Sequence, residues 1–238
     1  MRVSVVIPTH NEALAIERVL ADIPSDLATE VIVVDSNSND GTREIAANLG
    51  ARVIQEPRRG YGRACLTGLA NADAPDVVVF LDGDYSDRPS ELPILLAPII
   101  ENRADITVGS RLTKERMPGA MPWHSVLGNR LAASLIRIFY RVKISDLGPF
   151  RAGRADVLCD LALEEATYGW AVEMILKGAL AGFRIVEVPV SYYPRIGKSK
   201  ISGTVKGSAG AAWFILSLIV RYYFRQRRRG VARSVRPR

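Results

Sequence analysis

The run Val77-Val78-Val79-Phe80-Leu81 passes without a break into Asp82-Gly83-Asp84. Consecutive apolar, mostly β-favouring residues with no polar alternation describe a strand buried on both faces. Such a strand needs helices above and below it, which restricts the chain to a layered α/β architecture. Open α/β sheets bind ligands beyond the carboxyl ends of their strands, so the residues that follow Leu81 fall at a binding edge. They are two carboxylates separated by a glycine, a residue that lets the backbone turn and come close to a ligand. Carboxylates this close repel unless a cation or a proton lies between them, and hard oxygen ligands suit Mg²⁺ or Mn²⁺. An isolated Asp-x-Asp is more often an acidic surface turn. Its position at the end of a fully buried strand favours the metal.

Similar units recur upstream. Residues 3–7 read as a strand that Pro8 ends, and Asn11 reads as the cap of a helix carrying Leu14, Ile16, Val19 and Leu20. Val31–Val34 is a second strand, ending at Asp35 and opening into the turn-rich run Ser36–Thr42. A helix to about Leu49, a strand at Arg52–Gln55 and a helix over Gly62–Ala70 lead to the strand at 77–81. This alternation predicts a mostly parallel, Rossmann-like sheet flanked by helices. Downstream the pattern predicts a helix at 89–100, a strand near Ile106–Val108 and a loop over 112–124. A helix at Ser125–Tyr140, a turn at Asp146–Arg151 and helices near 153–162 and 169–181 follow. A strand at Arg184–Val188, a basic loop at Tyr192–Gly203 and a last helix from about Val205 complete the reading.

With 238 residues, 48% hydrophobic and 24% charged, the chain has the composition of a folded protein with a substantial core. Cys65 and Cys159 are far apart and lack nearby histidines, so neither a disulfide framework nor a zinc site is expected, and a cytoplasmic setting follows. Pro8 interrupts the apolar start, which speaks against a signal peptide. The net charge of +7 is concentrated in Arg221, Arg225, Arg227, Arg228, Arg229, Arg233, Arg236 and Arg238, with no acid among the last 18 residues. The body of the chain is close to neutral, and the tail attracts polyanions. Ala209–Val220 carries no charge but falls short of the roughly 20 residues a membrane span needs. Trp213, Leu216, Val220, Tyr223 and Phe224 recur at helical spacing beside Arg221, Arg225 and Arg228. An amphipathic helix with a basic end suits an anionic membrane surface. Packing on the domain or on a partner is the plainer alternative. Nucleic acid is not expected as a partner, because no nucleic-acid module accompanies the tail. The expected division is a catalytic domain over 1–204 and a membrane-interfacial extension over 205–238.

Three polar loops converge on one sheet edge: Pro8-Thr9-His10-Asn11-Glu12, the run from Asp35, and Asp82-Gly83-Asp84. Arg58-Arg59-Gly60-Tyr61-Gly62-Arg63 precedes a helix, where glycines and cations are placed to hold phosphate. No Gly-Lys-Ser/Thr follows it, and no Gly-x-Gly-x-x-Gly follows the first strand, which weakens P-loop and dinucleotide readings. His10 and His124 are lone loop histidines, and Trp123 and Trp170 are expected to serve packing.

The segments Val-Ile-Pro-Thr-x-Asn-Glu, Val-Val-Asp-x-x-Ser-x-Asp-Gly-Thr, Gly-x-Gly-x-Ala and Leu-Asp-Gly-Asp resemble those of family 2 glycosyltransferases of the GT-A fold. Gly109-Ser110-Arg111, Asp146–Arg151 and Arg195-Ile196-Gly197-Lys198-Ser199-Lys200 look like the dolichol-phosphate mannose synthase branch. The resemblance implies that Pro8, Thr9, Asn11, Glu12 and Asp35 line a nucleoside pocket, with Gly60, Arg63 and Gly83 on the nucleotide-sugar. It implies that Asp82 and Asp84 contact the metal and the donor diphosphate. Arg111 and Arg130 would approach an acceptor phosphate, and Arg195, Lys198 and Lys200 would close over the donor. Two positions depart from the family pattern: Ser36 replaces a common second acid, and Ser86 replaces a glutamine that often follows Asp-x-Asp.

The implied reaction is metal-dependent inverting transfer of mannose or glucose from a GDP- or UDP-sugar to a polyprenyl phosphate at the cytoplasmic membrane face. A lipid phosphate is already ionised and needs no general base. A hydroxyl acceptor does need one, and Glu173 or Asp146 is then the candidate. Alternatives are a glycosyltransferase with a soluble or glycan hydroxyl acceptor and a non-catalytic nucleotide-binding membrane scaffold. A nucleotidyltransferase would want a basic glycine-rich loop after the first strand, where Pro8–Glu12 stands. Base, sugar and oligomeric state are left open.

Overall fold

The computed structural model describes residues 1–112, 116–197, 210 and 212–224. The strands are β1 (Val3–Thr9), β2 (Glu30–Asp35), β3 (Arg52–Gln55), β4 (Val77–Phe80), β5 (Ile106–Ser110), β6 (Arg151–Arg154) and β7 (Ile185–Pro189). The helices are α1 (Ile16–Ala21), α2 (Thr42–Asn48), α3 (Tyr61–Asn71), α4 (Leu92–Ile100), α5 (Trp123–Tyr140), α6 (Ala155–Asp160) and α7 (Trp170–Ala181). A further helix, α8, covers 212–224, and a single 3₁₀ turn at Pro89–Glu91 leads into α4.

The strands form one sheet in the order β3-β2-β1-β4-β6-β5-β7, parallel except for β6, which runs antiparallel to both its neighbours. Alternate residues of the central strands enter two separate cores, as the pleat requires. Val6, Val78 and Phe80 pack with residues of α3, α5, α6, α7 and α8, whereas Val5, Ile7, Val77 and Val79 pack with residues of α1, α2 and α4. Phe80 meets Trp170 edge-to-face with ring centroids 4.5 Å apart. Burial of each such side chain contributes about 1.5–3 kcal/mol.

Three sequence expectations are corrected. Pro8 does not end β1, which continues to Thr9 with Pro8 in register opposite Val34. Leu81 donates its N–H to the Val6 carbonyl, so the pleat aims position 8 toward β4 as well, beyond the last β1–β4 pair at Val6 and Phe80. The missing proline N–H therefore costs no ladder bond. Asn11 does not cap α1; it adopts a left-handed φ of 54°, and its side-chain carbonyl accepts the Asn39 N–H at 3.0 Å. Arg151–Arg154 is a central strand where a turn and the start of a helix were expected. Being antiparallel, β6 places its beginning, and the preceding Asp146–Gly148, at the sheet edge where β1, β4 and β5 end.

Candidate active site

Beyond that edge lies a cavity of about 610 Å³. Its walls come from the end of β1 and the loop after it (Pro8, Thr9, His10, Glu12), Ser36, Arg59–Tyr61, Asp82–Asp84, Arg111, Thr167–Tyr168, and Tyr192 with Arg195. The three loops singled out in the sequence thus meet at one site, with Arg111 from the end of β5 and Arg195 from the segment after β7.

The acidic centre is under electrostatic strain. Burial pushes the Asp82 carboxyl up to about 7, the Asp84 charge adds to the rise, and Arg111 and Arg195 oppose it. Asp82 Oδ1 is buried and has no hydrogen-bond partner. Asp84 is engaged: Ser86 donates its backbone N–H (2.9 Å) and its hydroxyl (2.6 Å) to Oδ1, and Arg195 Nη1 lies 3.3 Å from Oδ2. Ser86, at the position that departs from the family pattern, therefore orients the second carboxylate. Asp87 was not singled out by the sequence. Both its oxygens are buried without partners, and burial together with Asp82 raises its carboxyl well above the usual range.

These groups fit a divalent cation that they share with a ligand. The orphaned Asp82 oxygen and the adjacent Asp84 are hard donors of the right type. Among the described residues, no three His, Cys, Asp or Glu side chains are arranged to hold an ion alone. A cation here would complete its shell with water or with diphosphate oxygens, as Mg²⁺ commonly does.

Arg195 spans the mouth. Its Nη2 lies 3.2 Å from Glu12 Oε1 while Nη1 faces Asp84, and the Ile196 N–H donates to the Asp84 carbonyl at 3.0 Å. Arg111 is held in a fork by Asp146 through Nε at 2.7 Å and Nη2 at 2.9 Å, and its guanidinium lies 4.9 Å from the centre of the Tyr192 ring. Burial alone would raise the Asp146 carboxyl, but Arg111 outweighs it and holds it below the ordinary range. Asp146 is committed to that ion pair and is not free to act as a base.

Other candidates fall elsewhere. Glu173 does not line the cavity. It is buried in the first turn of α7, where it accepts the N–H groups of Glu164 (3.0 Å) and Glu165 (2.7 Å) and the Tyr222 hydroxyl (2.8 Å), and pairs with Lys177 (2.9 Å). Arg130 is exposed on α5, outside the cavity. Asp35 is buried behind the wall, accepting the Ser38 N–H (2.9 Å) and hydroxyl, while its neighbour Ser36 faces the cavity. Asn11 and Arg63 do not line the cavity, and Lys198 and Lys200 lie outside the described residues.

The Gly60-x-Gly62 segment serves a close approach of main chains. The N–H groups of Gly62 and Arg63, at the start of α3, already donate to the carbonyls of Thr167 (3.1 Å) and Ala166 (2.9 Å). A Cβ on Gly62 would stand 2.2 Å from the Glu165 carbonyl oxygen, and one on Gly60 would stand 2.3 Å from that of Ala166. The glycines thus seat the 164–168 segment as a cavity wall. Arg58 is likewise taken by Glu56, whose carboxyl that guanidinium holds down at about 2 despite burial.

Residues 4–161 match the family model described as glycosyl transferase family 2. The chain is a family 2 glycosyltransferase. The glycosyltransferase is 37% identical over 219 residues to an uncharacterized glycosyltransferase of Mycobacterium tuberculosis, covering 90% of this chain and 98% of that one. It is 37% identical to a dolichyl-phosphate hexose transferase of Haloferax volcanii, with 87% and 89% covered. An undecaprenyl-phosphate mannosyltransferase of Micrococcus luteus is 35% identical, with 88% and 91% covered. Among solved structures, glucosyl-3-phosphoglycerate synthase from Mycobacterium tuberculosis, crystallised with Mn²⁺, UDP-glucose and phosphoglyceric acid, superposes with a TM-score of 0.74. Its identity is 22%, and the match covers 93% of this chain and 79% of that one. That likeness establishes the GT-A-like fold.

Proposed function

We propose that this glycosyltransferase moves one hexose, mannose or glucose, from a GDP- or UDP-sugar to a polyprenyl phosphate, with inversion and with Mg²⁺ or Mn²⁺. The observation that carries the choice of acceptor is the commitment of both base candidates, Asp146 to Arg111 and Glu173 to a buried network outside the cavity. A phosphate acceptor arrives ionised, so its attack on the sugar carbon needs no such base. Relatives named for dolichyl-phosphate and undecaprenyl-phosphate transfer support the same acceptor class.

In this reading Asp82 and Asp84 hold the cation, which supplies positive charge against the departing diphosphate. Arg195 exchanges Glu12 and Asp84 for donor phosphate. Arg111, fixed by Asp146 and Tyr192, meets the acceptor phosphate. Thr9, Glu12 and Ser36 form the wall nearest the nucleoside. Among the described residues no helix is long and apolar enough to cross a membrane. The proposed encounter with the lipid acceptor is peripheral, at the cytoplasmic face.

The test supplies purified protein with radiolabelled sugar nucleotides, Mg²⁺ or Mn²⁺, and either polyprenyl phosphate or soluble acceptors. Label extracted into the organic phase only when polyprenyl phosphate is present is the expected result. Label confined to a water-soluble glycoside overturns the lipid acceptor in favour of a hydroxyl or soluble one. Metal-independent nucleotide binding without turnover of any donor would favour the scaffold reading.

A further inference from the structure

Helix α5 carries a stripe of exposed apolar side chains that the transfer reaction does not use. Trp123, Leu127, Leu131 and Ile138 are 77%, 61%, 48% and 68% exposed. At 100° per residue they fall within about 80° of arc, opposite the buried Ala132, Ala133 and Ile136 that seat the helix on the core. Single exposed apolar residues are ordinary on a protein surface, but four aligned over the length of one helix form a contact face.

The charges around the stripe say what covers it. Arg130 and Arg137 lie along one edge of it, and Arg141 and Lys143 lie just past its end, all exposed. From Met117 to Ser145 the sequence contains no Asp or Glu. A protein partner would gain from charges of both signs, whereas an acid-free cationic rim around an apolar stripe complements anionic headgroups over acyl chains. Helix α8 repeats the pattern where it packs on the end of α5. Phe139 stacks on Tyr223 at 4.7 Å, and the Tyr140 hydroxyl donates to the Ile219 carbonyl at 2.6 Å. Trp213, Val220 and Phe224 are exposed on α8 beside Arg221, and its sequence also lacks acids.

We infer that α5, an element of the catalytic domain itself, is a docking surface for an anionic lipid bilayer, lying flat at the interface with its stripe immersed. The basic tail is not required for this contact. The inference goes beyond the choice of acceptor and stands or falls without any substrate.

The experiment is flotation of the full chain with vesicles of phosphatidylcholine alone or with phosphatidylglycerol, without nucleotide or polyprenyl phosphate. Wild type should float with the anionic vesicles and release at high salt. Replacing Leu127→Glu and Leu131→Glu together should lower the bound fraction by about tenfold, with the melting temperature unchanged. In a Trp213→Phe background, the Trp123 emission should shift to the blue on adding anionic vesicles. Undiminished flotation of the double variant, or an unshifted Trp123, overturns the assignment to α5. A wild-type dimer by light scattering that the double variant breaks, with no flotation of either protein, would assign the stripe to a second copy of the chain instead.

Discussion

Glu173 separates a structural acid from a catalytic one. The carboxylate closes a buried network that ties three parts of the chain together: the 164–165 segment behind the cavity wall, Lys177 one turn along α7, and Tyr222 of α8. Glu173→Ala would take an acceptor away from two N–H groups, a hydroxyl and an ammonium at a carboxylate only 1% exposed. Removing one member of a buried ion pair costs about 3–5 kcal/mol. For a chain of this size each kcal/mol moves the melting temperature by about 2–4 °C, so a fall of roughly 6–20 °C is expected. Glu173→Gln keeps one acceptor oxygen and should lose less than half as much. Below its own melting temperature the alanine variant should retain kcat within about an order of magnitude, because no reacting atom loses a partner.

The pH dependence has a definite sign. Burial alone would raise the Glu173 carboxyl, but the Glu165 N–H, Lys177, Tyr222 and the Glu164 N–H outweigh it and hold it below the ordinary glutamate value. A carboxyl depressed in the folded state contributes stability that is present above its unfolded pKa of about 4.3 and is lost as pH falls through the folded value. The stability difference between wild type and Glu173→Gln, followed by thermal melts, should therefore be constant near neutrality and shrink below about pH 4. An alanine variant that melts like wild type yet loses kcat by orders of magnitude would refute this account and restore Glu173 as a base.

Mn²⁺ with a nucleoside diphosphate should raise the melting temperature of wild type and leave Asp82→Asn nearly unmoved; an equal shift in both by thermal fluorescence would remove Asp82 from the metal site. Gly62→Ala drives a Cβ to 2.2 Å from a carbonyl oxygen and should cost at least about 1–3 kcal/mol in chemical denaturation, whereas Gly128→Ala, with nothing within 4 Å on α5, should stabilise by about 0.5–1 kcal/mol. Asp146→Asn leaves the largely covered Arg111 without the buried carboxylate that pairs with it and should cost about 3 kcal/mol, read from urea unfolding; an unchanged midpoint would show that the pair is not desolvated in solution. Arg195→Met should weaken the mutual enhancement of metal and nucleotide binding in calorimetry, and a coupling equal to wild type would place Arg195 off the diphosphate.

Much of the first half was legible because its signals are local. β3 falls on the expected residues, β2 and β4 differ from expectation only at their ends, and the loops after β1 and β4 meet as the parallel topology requires. The misses arose where long-range contacts override local pattern. Arg151-Ala152-Gly153-Arg154 has no apolar run, yet it is a central strand. Arg151 is buried there by donating to the carbonyls of Gly148 and Ala171, acceptors that no local sequence pattern announces. Glu173 read as an accessible acid because its partner Tyr222 lies 49 residues away. The glycines at 60 and 62 resemble a phosphate loop in the sequence, since a helix start looks the same whether its amides face a ligand or another main chain. Tyr192 and Tyr168, which line the cavity, carry no motif, and only the return of the chain after β7 and before α7 places them there.

The reversed strand explains how the site holds an arginine fixed at the ligand edge. Because β6 enters the sheet at the ligand edge, Asp146 arrives beside the end of β5 and neutralises Arg111 from behind. The guanidinium is thereby fixed in direction, and its charge is balanced before any ligand arrives. Asp82 has no such partner, and Arg195 covers Asp84 only through a contact shared with Glu12. The uncompensated charge of the edge is thus negative and centred on Asp82, which a cation relieves and an anion alone does not. A diphosphate entering without metal would face that charge, whereas with a cation held by Asp82 and Asp84, Arg195 would be free to turn from carboxylate to phosphate. On the proposed reading cation and donor would bind as one event, and the acceptor would meet Arg111, which Asp146 already holds in place.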